Sequence, residues 1–155
     1  MSDSLNMVRS ETFMSRLMLE QANAIIAAAF GQGAEQGCKP LSIAVLDAGG
    51  HLIAFQRQDN SSTLRPHIAT AKASGALALG VSSRKIAEMA AERPTFVASL
   101  GPISANGVVP AAGGVIIVDA DGHAIGAVGA TGDTSENDEL CVLAGIAAAG
   151  LLPQK

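Results

Sequence analysis

The chain has 155 residues, a formal net charge of −4 and no cluster of Lys or Arg, so nucleic acid, whose phosphates call for a basic patch, is not an expected partner. Hydrophobic residues make up 48%, yet Trp and Tyr are absent and only four Phe occur. The core must be aliphatic, one domain of ordinary size, with close contacts between elements at Ala and Gly.

Residues 1–9 read as a loose N-terminal arm and residues 10–155 as a single domain. The start, Met1 to Met7, carries Asp3 and lacks a basic region followed by an apolar run. It is not expected to be a secretory signal, and the protein is expected to be cytoplasmic. From about Ser10 to Gln36 the apolar steps Met14, Met18, Ala22, Ile25, Ala29 and Phe30 predict a helix. Gly31, Gly33 and Gly37 mark a frayed end, closed by Pro40. Leu41–Leu46 is a short β-branched run, Asp47-Ala48-Gly49-Gly50 a turn, and His51–Arg57 a second strand. On that strand Leu52, Ala54 and Gln56 share one face, with His51, Ile53, Phe55 and Arg57 on the other.

The polar loop Gln58–Thr63 leads into an Ala-rich helix from Pro66 to about Leu79, which Gly80 interrupts. A further helix starts at Ser82-Ser83 and ends near Arg93-Pro94. Thr95–Ala112, with Gly101-Pro102, Asn106-Gly107 and Pro110, reads as a long loop. A second hairpin follows from Gly113, and its exit Gly129–Gly132 precedes a helix from Ser135 to about Leu151. Asp133-Thr134-Ser135-Glu136 has capping-box spacing. The longest apolar stretches are strand-length or broken by glycine, so no membrane span is expected.

The two hairpins echo each other. Leu46-Asp47-Ala48-Gly49-Gly50-His51 and Val118-Asp119-Ala120-Asp121-Gly122-His123 share an apolar strand, an Asp/Gly turn and a His, as tight turns require. Two hairpins with four or five helices predict an α+β domain, an antiparallel sheet with helices on its faces.

Taken in order, the Ala-rich first helix, Ile43–Gly50, Phe55-Gln56-Arg57-Gln58-Asp59, Ala69-Thr70-Ala71-Lys72-Ala73, Gly113-Gly114-Val115, Gly126–Gly132 and Asn137-Asp138-Glu139 resemble the GlcG/HbpS family. That family comprises haem-degrading or PduO C-terminal-like domains. The resemblance covers nearly the whole chain. It implies a five-stranded antiparallel sheet flanked by helices, profilin-like, assembled as a homo-oligomer (dimer or larger). Some members bind haem, and others lie in catabolic operons without an assigned reaction. The chain departs from the family pattern at Gln58 and Asn60, at Ile116 after Gly113-Gly114-Val115, at Gly129–Asp133, and at His67.

Several residues could carry chemistry. Arg57 could hold a carboxylate bidentately with Asp59 orienting it or moving protons, or the two could be an inert surface pair. Lys72 sits in an Ala-rich helix expected to be buried, where an ammonium needs an anionic partner: a ligand carboxylate, a haem propionate or Asp59. The alternative is a snorkelling lysine. His67 could ligate iron or act as a base, or simply be exposed. Gly113 and Gly114 would let a ligand approach the backbone.

His51 and His123 have no spacing that forces a metal site, and none is expected. Acids Asp133, Glu136, Asp138 and Glu139 suit a helix start better than an anion cradle. Cys38 and Cys141 lie far apart without a CxxC motif, and read as two reduced thiols.

Three functions follow. The first is small-ligand binding, with haem or another tetrapyrrole as candidate cofactor and Arg57, Arg65, His67, Lys72, Gly113 and Gly114 as contacts. The second is a cofactor-free tautomerase, hydratase, lyase or hydrolase on a small carboxylated catabolic intermediate, with His67, Lys72 and Asp59 as catalytic groups. The third is a non-catalytic oligomeric accessory or sensor protein.

Overall fold

The computed structural model describes residues 16–155. The elements run α1 (Leu19–Gln36), β1 (Ser42–Asp47), β2 (Leu52–Arg57), α2 (Arg65–Leu79), α3 (Ser83–Glu92) and α4 (Pro94–Leu100). A 3-10 turn (Gly101–Ile103), β3 (Gly114–Val118), β4 (Ala124–Thr131), α5 (Ser135–Ala148) and β5 (Leu152–Pro153) complete the order. All strand pairs are antiparallel, in the order β2-β1-β4-β3-β5. This is the expected α+β fold with a five-stranded sheet. The arm 1–9, Ser10 and Met14 lie outside the described residues.

Strand alternation divides the core. Ile43 and Val45 of β1, Val115 and Ile117 of β3, and Val128 and Ala130 of β4 face α1 and α5. There they meet Ile25, Ile26, Ala29, Cys141, Val142 and Ile146. Each fully buried Ile or Val contributes about 1.5–3 kcal/mol, so this layer supplies most of the apolar stabilisation. On the opposite face Leu46 and Ala127 meet Ala73 and Leu77 of α2. Gly114 and Gly129 also lie on that face, where a Cβ would run into the backbone carbonyls of Lys72 and Ala69 respectively. Their missing side chains let α2 rest directly on the strands.

Five expectations are corrected. The first helix does not fray at its glycines: Gly33 lies inside it and is buried. The chain leaves through a Schellman closure, with Gly37 at φ 67°, Gly37 N–H donating to Ala34 O (3.2 Å) and Cys38 N–H to Gly33 O (2.9 Å). At its other end this helix begins at Leu19, where Gln21 Oε1 accepts from the Met18 N–H at 3.0 Å, and residues 16–18 are not helical. A register shift between Val45 and Leu46 breaks the alternation of β2, so Ile53 and Ala54 both pack on the α1/α5 core.

Part of the expected loop 95–112 is helical, because Pro94 opens a new helix as well as ending α3. The last helix stops at Ala148, and β5 then pairs with β3, with Gln154 N–H donating to Ile116 O at 2.8 Å.

Candidate functional site

One end of the sheet gathers most of the polar residues singled out above. Ser42 of β1 is the register partner of Arg57 on one side and of Thr131 on the other. Directly opposed residues share a face, so these three side chains form a row on the α2 side. Pro66 fixes the first turn of α2, and Arg65 beside it donates through Nη1 to Thr131 Oγ1 at 2.7 Å.

Ser42 is fully buried, yet its Oγ has no hydrogen-bond partner among the described residues, and the same holds for Ser61 Oγ in the loop before α2. Leaving such hydroxyls unpaired costs about 1–3 kcal/mol each. Arg65 is half-buried, while Arg57, Asp59 and His67 are exposed. Among the described residues Arg57 and Asp59 make no ion pair with each other.

Lys72 is buried at 3% exposure, and its anionic partner is Asp138 of α5, not Asp59. Nζ donates to Asp138 Oδ2 at 3.2 Å and to Ala130 O at 3.0 Å. The stem passes over Gly113, where a Cβ would lie 2.9 Å from Nζ and 3.2 Å from Cδ. Gly113 and Gly114 thus turn their bare faces to Lys72 and α2. Burial lowers the Lys72 pKa and raises that of Asp138, and their mutual attraction opposes both shifts.

The remaining acids serve the helix start. Thr134, one position after the expected cap, accepts from Asn137 N–H at 3.2 Å. Asp133 accepts from Lys39 N–H at 3.0 Å and from Asn137 Nδ2 at 2.7 Å. These bonds, led by the Lys39 N–H, hold its carboxyl down at about 2. Asp138 Oδ1 accepts from Asp133 N–H at 3.0 Å, and Glu139 pairs with Arg84 at 3.0 Å. Asp138 was legible only as one more acid near a helix N-terminus; its partner is 66 residues away. Ser42 and Thr131 carried no local signal at all.

The echoed hairpins fold alike. Asp47 Oδ1 accepts from Gly49 and His51 N–H, and Asp119 Oδ1 from Asp121 and His123 N–H. Ligand atoms of Asp119, Asp121 and His123 lie within 4.8 Å of one another. The turn's own hydrogen bonds account for that gathering.

A family model described as "Haem degrading protein HbpS-like" matches residues 17–147. The chain belongs to the HbpS-like family. Protein GlcG of Escherichia coli (strain K12) is 38% identical over 115 residues, 73% of this chain and 79% of that one. Among solved structures, the HbpS crystal structure has a TM-score of 0.73 at 27% identity, covering 85% of this chain and 89% of that one. The PduOC:Heme complex has a TM-score of 0.80 at 20% identity, covering 90% of this chain and 99% of that one.

At that identity the PduOC likeness speaks for the fold alone. What this HbpS-like chain adds on its own account is a half-buried cation and an unpartnered hydroxyl at one sheet end. Among the described residues no helix is long and apolar enough to cross a membrane.

Proposed function

We propose that this HbpS-like protein binds a carboxylate-bearing ligand of the haem class at the sheet end where α2 begins. The observation that carries the proposal is the half-buried Arg65, held by Thr131 beside the buried, unpartnered Ser42 Oγ. A guanidinium fixed by one neighbour keeps further N–H donors for a carboxylate. A ligand oxygen would also give Ser42 the partner it lacks.

The residues present fit a haem. Arg57 and Arg65 would hold its propionates, and the exposed His67 at the same helix start would offer an imidazole to its iron. Leu64, 61% exposed three residues before His67, adds apolar surface to that side of the helix. Haem, when bound, supplies a redox-active iron; the protein's part is to ligate it, orient it and hold its carboxylates. Membership of a family described as haem-degrading and HbpS-like, and the likeness to HbpS itself, support the same reading.

In this proposal Lys72, Gly113 and Gly114 shape the wall behind the ligand rather than touch it. The enzyme reading draws no support from Lys72, whose ammonium is committed to Asp138 and the Ala130 carbonyl, and the exposed Asp59 makes no ion pair among the described residues. Assembly into a homo-oligomer and a cytoplasmic location belong to the same proposal.

Hemin titration tests it. A Soret shift that saturates with the wild type, changes position in His67→Ala and weakens in Arg65→Ala is expected. No shift, or identical spectra in all three proteins, would remove the assignment.

A further inference from the structure

We propose that Cys38 and Cys141 form a reversible intramolecular disulfide, with Cys38 attacking a low-molecular-weight disulfide and Cys141 resolving the mixed intermediate. The two thiols are distant in sequence, and the fold brings them together. Cys38 follows the Schellman closure of α1, which pins its backbone to Gly33. Cys141 lies on the face of α5 that packs against α1. Gly33 makes the space between them: a Cβ there would sit 3.7 Å from both the Cys141 Sγ and the Cys38 Cβ. Both thiols donate to Gln36 Oε1, at 3.7 Å from Cys38 and 3.9 Å from Cys141.

Access is unequal. Cys38 is half-buried and lines a cleft of about 340 Å³ with Lys39, Pro40, Gln58 and Asp59, whereas Cys141 is fully buried. An external disulfide RSSR therefore meets Cys38 first. Its thiolate attacks one sulfur, the S–S bond breaks, and RS⁻ leaves to be protonated as RSH. Cys141 then gives up its proton to solvent and attacks Cys38 Sγ, expelling a second RSH. Two protein thiols are oxidised and one RSSR is reduced to two RSH.

Burial raises both thiol pKa values, that of Cys141 to about 12, and the carboxylates of Asp133 and Asp138 add to the rise. Thiolate is therefore scarce at neutral pH, and proximity drives the second step. The exchange should be slow at neutral pH and accelerate as pH rises.

The full-length reduced protein, incubated with oxidised glutathione, acid-quenched, denatured and alkylated, provides the test by intact mass and peptide mapping. Wild type should lose two hydrogens, take up no alkyl group and yield a Cys38–Cys141 linked peptide that dithiothreitol releases. Cys141→Ser should stop at a glutathione adduct on Cys38, and Cys38→Ser should remain unmodified. A persistent glutathione adduct on wild type, two alkylated cysteines, or a crosslink between chains would each overturn the proposal. The wild-type result decides even if a variant fails to fold.

Discussion

Lys72 and Asp138 exchange water for each other across the end of the sheet, and neither has a second charged partner within the network described. Removing one partner leaves the other charge buried. Lys72→Met is therefore expected to cost about 3–5 kcal/mol, read as a lower urea midpoint, and Asp138→Leu a similar amount. The double variant should recover much of the loss, because no unpaired charge remains and methyl groups fill the space. Strictly additive losses would show that the two residues do not act as a pair.

Asp133 is a partly exposed carboxylate whose native pKa falls from 3.8 to about 2 through hydrogen bonds to Lys39 N–H and Asn137. A folded-state pKa below the unfolded one stabilises at pH values above the unfolded pKa. That contribution is lost as pH falls from about 4 to 2. The stability gap between wild type and Asp133→Asn should thus be largest at neutral pH and shrink through that window. A gap independent of pH would refute it.

At the scale of elements, the glycines divide into those that hold α2 close and those that do nothing of the kind. A Cβ on Gly114 would collide with the Lys72 carbonyl, whereas one on Gly31, inside α1, meets nothing within 4 Å. Gly114→Ala should push α2 off the sheet and destabilise by about 1–3 kcal/mol or more. Gly31→Ala should stabilise by about 0.5–1 kcal/mol, since alanine is the better helix former. Thermal unfolding of the two variants separates these signs.

The same elements show what a sequence discloses. Hairpins were readable because Asp47 and Asp119 write their turns locally, each collecting two N–H groups within four residues. Helix α4 was hidden because Pro94 stops one helix and starts the next. Strand β5 is two residues long and exists only through its pairing with β3. At the candidate site, Arg57, Arg65 and His67 stood out by residue type. Ser42, Thr131 and Asp138 did not, since their meaning lies in partners set by sheet register and helix docking.

For the molecule as a whole, the two helical layers are separate consequences of strand alternation, and few links cross between them. Lys72–Asp138 is one such link, joining α2 to α5 around the sheet. Within the other layer, α1 and α5 are held by apolar packing, by shared small residues such as Gly145, which faces the Ile25 carbonyl and Ala29, and by Gln36 Oε1, which accepts from the thiol pair Cys38 and Cys141. Oxidising that pair would close a loop of roughly 100 residues, for which chain entropy gives an upper value of about 4–5 kcal/mol. In a chain of this length 1 kcal/mol moves the melting temperature by about 3 °C. The oxidised protein should therefore melt up to roughly 10–15 °C above the reduced one. The increase should vanish with dithiothreitol and be absent in Cys38→Ser. Because the link lies within the α1/α5 layer and leaves Arg65 and Ser42 untouched, hemin affinity should be the same in both redox states. A disulfide that lowers the melting temperature would mean that the two sulfurs meet only by straining α1 away from α5.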